Sequence, residues 1–291
     1  MKQSVNGIKN FWWLPLAILF IACLVGCSIV GEYMDFHFSY YMTQYSPIGP
    51  VAQYAGSVPG YALVGFVGPL LFIGLRNSQN KLLKYLGFAG LFVVPFVSGL
   101  VYGYDVFYDA LKIPGLLIGA AIILAIDGLL AFLFWEVDEK DAVRDAFIIA
   151  IAFSLTFITV FLLKHIIERP RPYYVEDYYQ FVPFLHFSTH VNGFTTDALE
   201  SFPSGHSAIA ATFLLCPLLC KYHEKTKKLE ALFFVIAAVW LLFTMFGRMA
   251  GMHHYLSDVC SGALIGIFFS FLTNLIAQFI KPKKKDEAEN G

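Results

Sequence analysis

The chain has 291 residues, 58% of them hydrophobic and 14% charged, with a mean hydropathy of +0.65. So apolar a composition excludes a soluble domain of this length and makes the chain a membrane protein. The net charge of −1 gives no reason to expect nucleic acid, and the five cysteines, at 23, 27, 216, 220 and 260, lie in apolar stretches without the paired spacing of a zinc site or disulfide framework.

A hydrocarbon core takes roughly 20 apolar residues per helix. In chain order, eight stretches qualify, at about residues 11–31, 58–75, 84–103, 114–135, 145–166, 204–220, 230–247 and 256–280. The expected fold is all-α, a polytopic transmembrane bundle of about eight spans. Leu24-Val25-Gly26-Cys27 in the first stretch matches a bacterial lipoprotein processing site, a string that small residues inside a transmembrane helix also produce. The second stretch, with Gly60, Gly65, Gly68 and Pro69, and the sixth are the shortest, so a re-entrant path is the alternative to spanning for both. Residues 32–57 and 167–203 read as long loops rich in Tyr and Phe, which belong to the interfacial belt or border the access route of an amphipathic substrate. No internal repeat or linker divides the chain. Residues 281–291 are polar and expected to be disordered, with Lys283, Lys284 and Lys285 against an anionic inner surface.

Lys and Arg accumulate in cytoplasmic loops. With both termini cytoplasmic, fifteen of the 20 basic residues fall inside, and only Lys112, Lys164, Arg169, Arg171 and Arg248 fall outside. Four of those five belong to three polar clusters at helix ends on that outer side. Lys164 closes the fifth span and is followed by Arg169-Pro170-Arg171-Pro172, where the prolines stop the helix. Pro203-Ser204-Gly205-His206 opens the sixth. Arg248 closes the seventh, and His254 and Asp258 stand near the start of the eighth.

Each residue type suits phosphoryl transfer. Charge spreads over three equatorial oxygens in the transition state, which Lys164, Arg171 and Arg248 can surround. Ser204 and Gly205 sit where a first helical turn leaves backbone N–H groups unpaired, an anion site to which the Ser hydroxyl can also donate. His254 and Asp258, four apart, share a helix face, so the carboxylate is expected to hold one imidazole nitrogen while the other attacks phosphorus. His206 is then free to protonate the leaving oxygen. One carboxylate amid three cations is no site for a pair of divalent ions, so neither metal nor cofactor is expected. A single arginine or histidine here would be an interfacial anchor or a cap; the cluster on one side of a bundle defaults to function.

These residues resemble the signature of the phosphatidic acid phosphatase type 2 superfamily, which includes lipid phosphate phosphatases, glucose-6-phosphatase and vanadium haloperoxidases. Its pattern reads K-x6-R-P, P-S-G-H and S-R-x5-H-x3-D. Lys164 with Arg171-Pro172, Pro203 to His206, and Arg248 with His254 and Asp258 fill it; Gly247 replaces the serine before the arginine. His253 and Arg169 neighbour the motif positions but miss its spacings. The resemblance implies a helical catalytic core over residues 145–280, behind N-terminal helices at 1–144 that carry no recognised motif. It implies His254 as nucleophile and His206 as acid. It also implies a phosphatase acting on a lipid phosphate monoester or pyrophosphate such as undecaprenyl pyrophosphate, phosphatidylglycerophosphate, phosphatidic acid or a lipid A phosphate.

The expected partners are the bilayer and that lipid substrate, with no nucleic acid and no obligate protein. The expected residence is a bacterial cytoplasmic membrane with the site facing periplasm or exterior; a eukaryotic endomembrane with a lumenal site is the alternative. A lipid phosphotransferase using the same phosphohistidine and a sugar-phosphate phosphatase remain open. A transporter would place its charges at the bilayer midplane on broken helices instead.

Overall fold

The computed structural model describes residues 14–175, 181–183, 195, 197–220 and 226–279, and the tail at 281–291 lies outside them. Eleven α-helices run through the described residues, with short 3-10 turns and no strand: α1 Leu14–Met42, α2 Gly49–Gly56, α3 Val58–Gly65, α4 Val67–Leu75, α5 Lys81–Leu111, α6 Ile113–Leu133, α7 Glu139–Ile167, α8 Gly205–Thr212, α9 Leu215–Cys220, α10 Glu230–Ala250 and α11 Leu256–Phe279.

Local chemistry sets the ends of the helices that carry the site. Asp138 caps α7 by accepting from the Lys140 amide at 2.9 Å, with Glu139 and Asp141 in its first turn and Lys164 and His165 in its last, matching the helix dipole at both ends. The helix stops where Glu168 turns left-handed at φ 49°. Arg169 then precedes Pro170, which disfavours helical backbone. Ser204 caps α8, its hydroxyl accepting from the Ser207 amide.

Among the described residues, six segments are long and apolar enough to cross a membrane: Val58–Leu75, Lys81–Tyr108, Ile113–Leu133, Glu139–Tyr174, Lys227–Ala250 and Leu256–Ala277. Ile18–Gly31 and Tyr33–Met42 meet the same test as a pair bent by 96°. The second expected stretch is therefore long enough to span, built from α3 and α4 in succession. The sixth falls short of the expectation by length: Gly205–Cys220 is a short apolar helix, opened by a turn between α8 and α9. Pro217 is the reason: its ring clashes with the carbonyl four residues back, at Phe213, where the helix opens.

Residues 32–57 are not the loop expected. α1 continues to Met42, and α2 follows a 3-10 turn at Thr43–Ile48. Both are held by polar contacts: Trp240 Nε1 and Thr244 Oγ1 on α10 donate to the Gly56 carbonyl at 3.1 and 3.0 Å, and Asp35 on α1 is buried at the head of α11. Of residues 167–203, the described part is irregular apart from short 3-10 turns at Pro172–Tyr174 and Asp197–Leu199.

Small residues set the helix spacing. A Cβ on Gly119 of α6 would lie 2.4 Å from the Gly103 Cα of α5, and one on Gly262 of α11 would lie 2.2 Å from the Ser204 carbonyl oxygen. Close backbone approach of this kind binds helices where lipid removes the hydrophobic drive between them. It also fixes α11 against the first residue of α8. Leu70, Ile149, Leu215, Leu241 and Val259 fill the interior, while Ile113, Leu117, Phe132, Phe161 and Val239 are exposed on the outside, as a lipid-facing surface requires.

Candidate active site

The C-terminal ends of α5, α7 and α10 and the N-terminal ends of α8 and α11 converge at one end of the bundle. Between them lies a cavity of about 340 Å³ whose wall includes Lys164, Arg171, Gly205, His206, Arg248 and His254. Six of the eight residues expected from the sequence therefore meet there. Ser204 and Asp258 stand behind the wall, fully buried.

His254 is 2% exposed. Its Nδ1 lies 2.6 Å from the Ser201 carbonyl oxygen. A carbonyl only accepts, so this bond puts the proton on Nδ1 and leaves the Nε2 lone pair as an acceptor on the cavity side. Nε2 faces Arg248 Nη2 at 3.4 Å. Burial above all, then the charges of Arg248, Arg171 and Lys164, hold the ring well below its ordinary pKa. The ring is oriented by the Ser201 carbonyl, and its surroundings favour the neutral form, in which Nε2 can attack.

The expected bond from Asp258 to this ring is not made. Asp258 Oδ2 lies 3.9 Å from His254 Nδ1, beyond hydrogen-bond reach, because the Ser201 carbonyl occupies that position. Asp258 acts one step back. Its Oδ2 accepts from Ser201 Oγ at 2.5 Å and from the Tyr255 amide at 2.9 Å, and its own carbonyl accepts from the Ser204 amide at 3.0 Å. It thus pins the loop that pins the histidine. The Ser204 hydroxyl is likewise taken up within its own helix, 3.0 Å from Ser207 Oγ, and is absent from the cavity wall.

Arg169, a neighbour of the motif by spacing, is 1% exposed and central to this scaffold. Nη1 donates to Asp258 Oδ1 at 2.6 Å and Ser257 Oγ at 2.8 Å, Nη2 to Asp35 Oδ2 at 2.9 Å, and Nε to the Val182 carbonyl at 2.8 Å. The Tyr255 ring lies 4.3 Å below the guanidinium. Ser257 Oγ also donates to Asp35. A charge removed from water needs such complete pairing. His253, the other neighbour, does not line the cavity; burial pushes its pKa down to about 3, so it stays uncharged.

The three cavity cations differ in how they are satisfied. Lys164 Nζ meets the Glu200 carbonyl oxygen at 3.0 Å and its carboxylate at 3.3 Å, and Arg171 Nη2 meets Asp197 at 3.1 Å. Arg248 is 3% exposed, and its Nε and Nη1 have no hydrogen-bond partner among the described residues. Arg171 Nε is also unpartnered. Buried guanidinium donors aimed at an open cavity call for an anion with several acceptor oxygens, the description of a phosphoryl group.

Two further residues come from helices without a recognised motif. Asp105 on α5 places Oδ2 3.2 Å from His206 Nε2, and the Tyr61 hydroxyl on α3 donates to the same oxygen at 3.4 Å. An aspartate in an apolar span was the available signal, since intramembrane ionisable groups mark sites. Beside the cavity, α3, α5 and α7 enclose an apolar groove of about 370 Å³ lined by Val93, Val94, Val97, Val101 and Phe153. Tyr61 and Phe157 belong to both walls, so groove and cavity are neighbours.

Residues 145–281 match the PAP2 superfamily. Two proteins described as lipid A 1-phosphatase, from Rhizobium johnstonii and Rhizobium etli, are 38% and 39% identical over 116 residues, which is 40% of this chain and 41% and 43% of theirs. The chain thus matches about two fifths of the length of these curated relatives. No solved structure matches it. The matched segment takes in the cations and imidazoles around the cavity, but not Asp105, Tyr61 or Asp35. The similarity to the PAP2 superfamily thus covers residues 145–281, a little under half of the chain.

Proposed function

We propose that this integral membrane protein is a phosphatase that hydrolyses the phosphate monoester or pyrophosphate of a lipid at the outer membrane face, without metal, through a phosphohistidine on His254. The observation that carries the reading is the unpartnered Nε and Nη1 of Arg248 beside a buried His254 whose Nε2 faces the same guanidinium. In the first step Nε2 attacks phosphorus, the bond to the lipid oxygen breaks, and His206 gives that oxygen a proton. In the second, His206 takes a proton from water, whose oxygen displaces His254 and releases inorganic phosphate. Arg171, Arg248 and Lys164 balance the charge on the equatorial oxygens in both steps, and the Gly205 backbone at the head of α8 presents the helix N-terminus to them. The gathering of basic residues on the opposite side of the bundle supports an outward-facing site with cytoplasmic termini.

The apolar groove favours a lipid over a soluble sugar phosphate. It lies beside the cavity among α3, α5 and α7, where an acyl chain can lie while its phosphate reaches the cations. The names of the two relatives make a lipid A phosphate the first substrate to test. The test is phosphate release by the purified protein in detergent with EDTA, from lipid A, phosphatidic acid and glucose 6-phosphate, beside His254→Ala. Release from a lipid that survives EDTA and vanishes in the variant, with an acid-labile phosphoprotein trapped on rapid quenching, is the expected result. Activity persisting in His254→Ala sinks the nucleophile assignment. Preference for glucose 6-phosphate sinks the lipid assignment.

A further inference from the structure

We infer that Asp105, on a helix outside the PAP2-matched segment, is a positioning residue that holds His206 in its protonated form for delivery of a proton to the leaving lipid oxygen. The geometry is specific. Asp105 Oδ2 and His206 Nε2 are 3.2 Å apart, within ion-pair distance though not aligned as a hydrogen bond, and Tyr61 steadies the same oxygen from α3. Both side chains border the cavity, and His206 stands at the second position of α8. That location works against a charged imidazole, because an N-terminal helix end favours anions.

The remaining ionisable groups around His206 sharpen the need. Lys164 comes from α7, Arg248 from α10, Arg171 from the segment after α7, and His254 from the head of α11. Burial first, and then Arg248, hold the His206 ring below its ordinary pKa, and Asp105 works against them. Glu200 and Asp197 also line the cavity, but Glu200 is committed to Lys164 and Asp197 to Arg171. Asp105 is the carboxylate within ion-pair distance of His206 among the described residues. A doubly protonated ring keeps one N–H on the aspartate and has the other to give. An alkoxide leaving group needs that proton as the phosphorus–oxygen bond breaks. After transfer, the neutral ring can take a proton from the water that hydrolyses the phosphohistidine, restoring the starting pair.

The inference rests on the phosphohistidine reading above, and one experiment separates them. Asp105→Asn and Asp105→Glu are compared with wild type on dioctanoyl phosphatidic acid, whose alkoxide must be protonated, and on para-nitrophenyl phosphate, whose phenolate leaves without help. The expected result is a loss of about tenfold to a hundredfold in kcat on the lipid for Asp105→Asn, at least tenfold larger than the loss on the aryl ester, with Asp105→Glu regaining part of it. The alkaline limb of the lipid profile moves to lower pH, since without the carboxylate the ring sheds its proton earlier. In a His206→Gln background, Asp105→Asn adds no further loss. Equal losses on both esters, additive losses in the double variant, or an unmoved alkaline limb would falsify the positioning role and make Asp105 structural. Asp105→Ser carries the same expectations if the Asn variant fails to fold. A wild type that hydrolyses neither ester and forms no phosphoprotein overturns the phosphohistidine reading, and the inference with it.

Discussion

Residues 145–281 bring three cations and two imidazoles to the cavity, whereas the helices before them bring Asp105, Tyr61 and one wall of an apolar groove, with Asp35 bracing the site from behind. The first set falls in three short groups at helix ends within one segment. The second reaches the same place across long separations, from α1, α3 and α5. The division suggests a transferable phosphoryl-transfer unit whose supports and substrate contacts are supplied by the helices packed against it. Variants in the two regions should therefore fail differently.

The largest effect belongs to the matched segment. His254→Ala is expected to lower kcat by about 10⁴-fold or more on every substrate, as removal of a nucleophile does. Arg248→Ala should cost about 10²- to 10³-fold, since it takes away preorganised donors to the transition state. Phosphate-release assays across lipid and aryl esters check both. A loss confined to lipid substrates would break the comparison by making these residues part of substrate choice.

Next comes the scaffold that joins the two regions. Arg169→Met leaves Asp35 and Asp258 buried without their shared cation, at a cost of about 3–5 kcal/mol. Asp35→Asn keeps the arginine's bond to Asp258 and should cost about 1–3 kcal/mol. Both are read as a fall in the thermal unfolding midpoint in detergent. An Asp35→Asn midpoint equal to wild type would show that α1 does not brace the site.

The same division governs what the sequence discloses. Lys164, Arg171, His206, Arg248 and His254 are legible because helix ends and fixed spacings carry side chains to one depth. The Ser201 carbonyl that orients His254 is backbone, which no pattern of side chains reveals, and so Asp258 is read as the direct partner when it is the indirect one. Arg169 has an unremarkable spacing, and only the fold shows it spanning two carboxylates. Asp35 lies in a stretch whose aromatics and missing basic residues read as a loop. The extension of α1 is stabilised by a contact 222 residues away, from Ser257 to Asp35, beyond any local signal.

A smaller effect tests the groove. Val97→Trp on α5 would fill part of a space lined by valines and phenylalanines. The expected result is a rise of about tenfold in KM for a long-chain lipid phosphate, the order set by excluding a few methylene groups. The KM for para-nitrophenyl phosphate, which has no chain to place, should change much less. Equal changes in both would assign Val97 to packing of α5 and not to the substrate.

The smallest effect is a titration. Burial first, and then Arg248, Arg171 and Lys164, favour the neutral form of His254, so its midpoint should lie below the ordinary 6.5 in the free protein. As pH falls through 6.5 the ring stays unprotonated and able to attack. NMR of histidine-labelled protein in detergent, with His254→Asn to assign the signal, measures this directly. It is cleaner than a rate profile, because a phosphate monoester itself ionises near pH 6 and imposes its own acid limb. Saturating orthophosphate reverses the sign of the local charge by neutralising the cations, so the midpoint should rise on binding. A free-protein midpoint at or above 6.5 would mean that Arg248 and its neighbours are screened by Asp105, Asp197 and Glu200. The carboxylates around the cavity, one of them from the N-terminal region, would then set the charge state of the nucleophile as well as that of the acid.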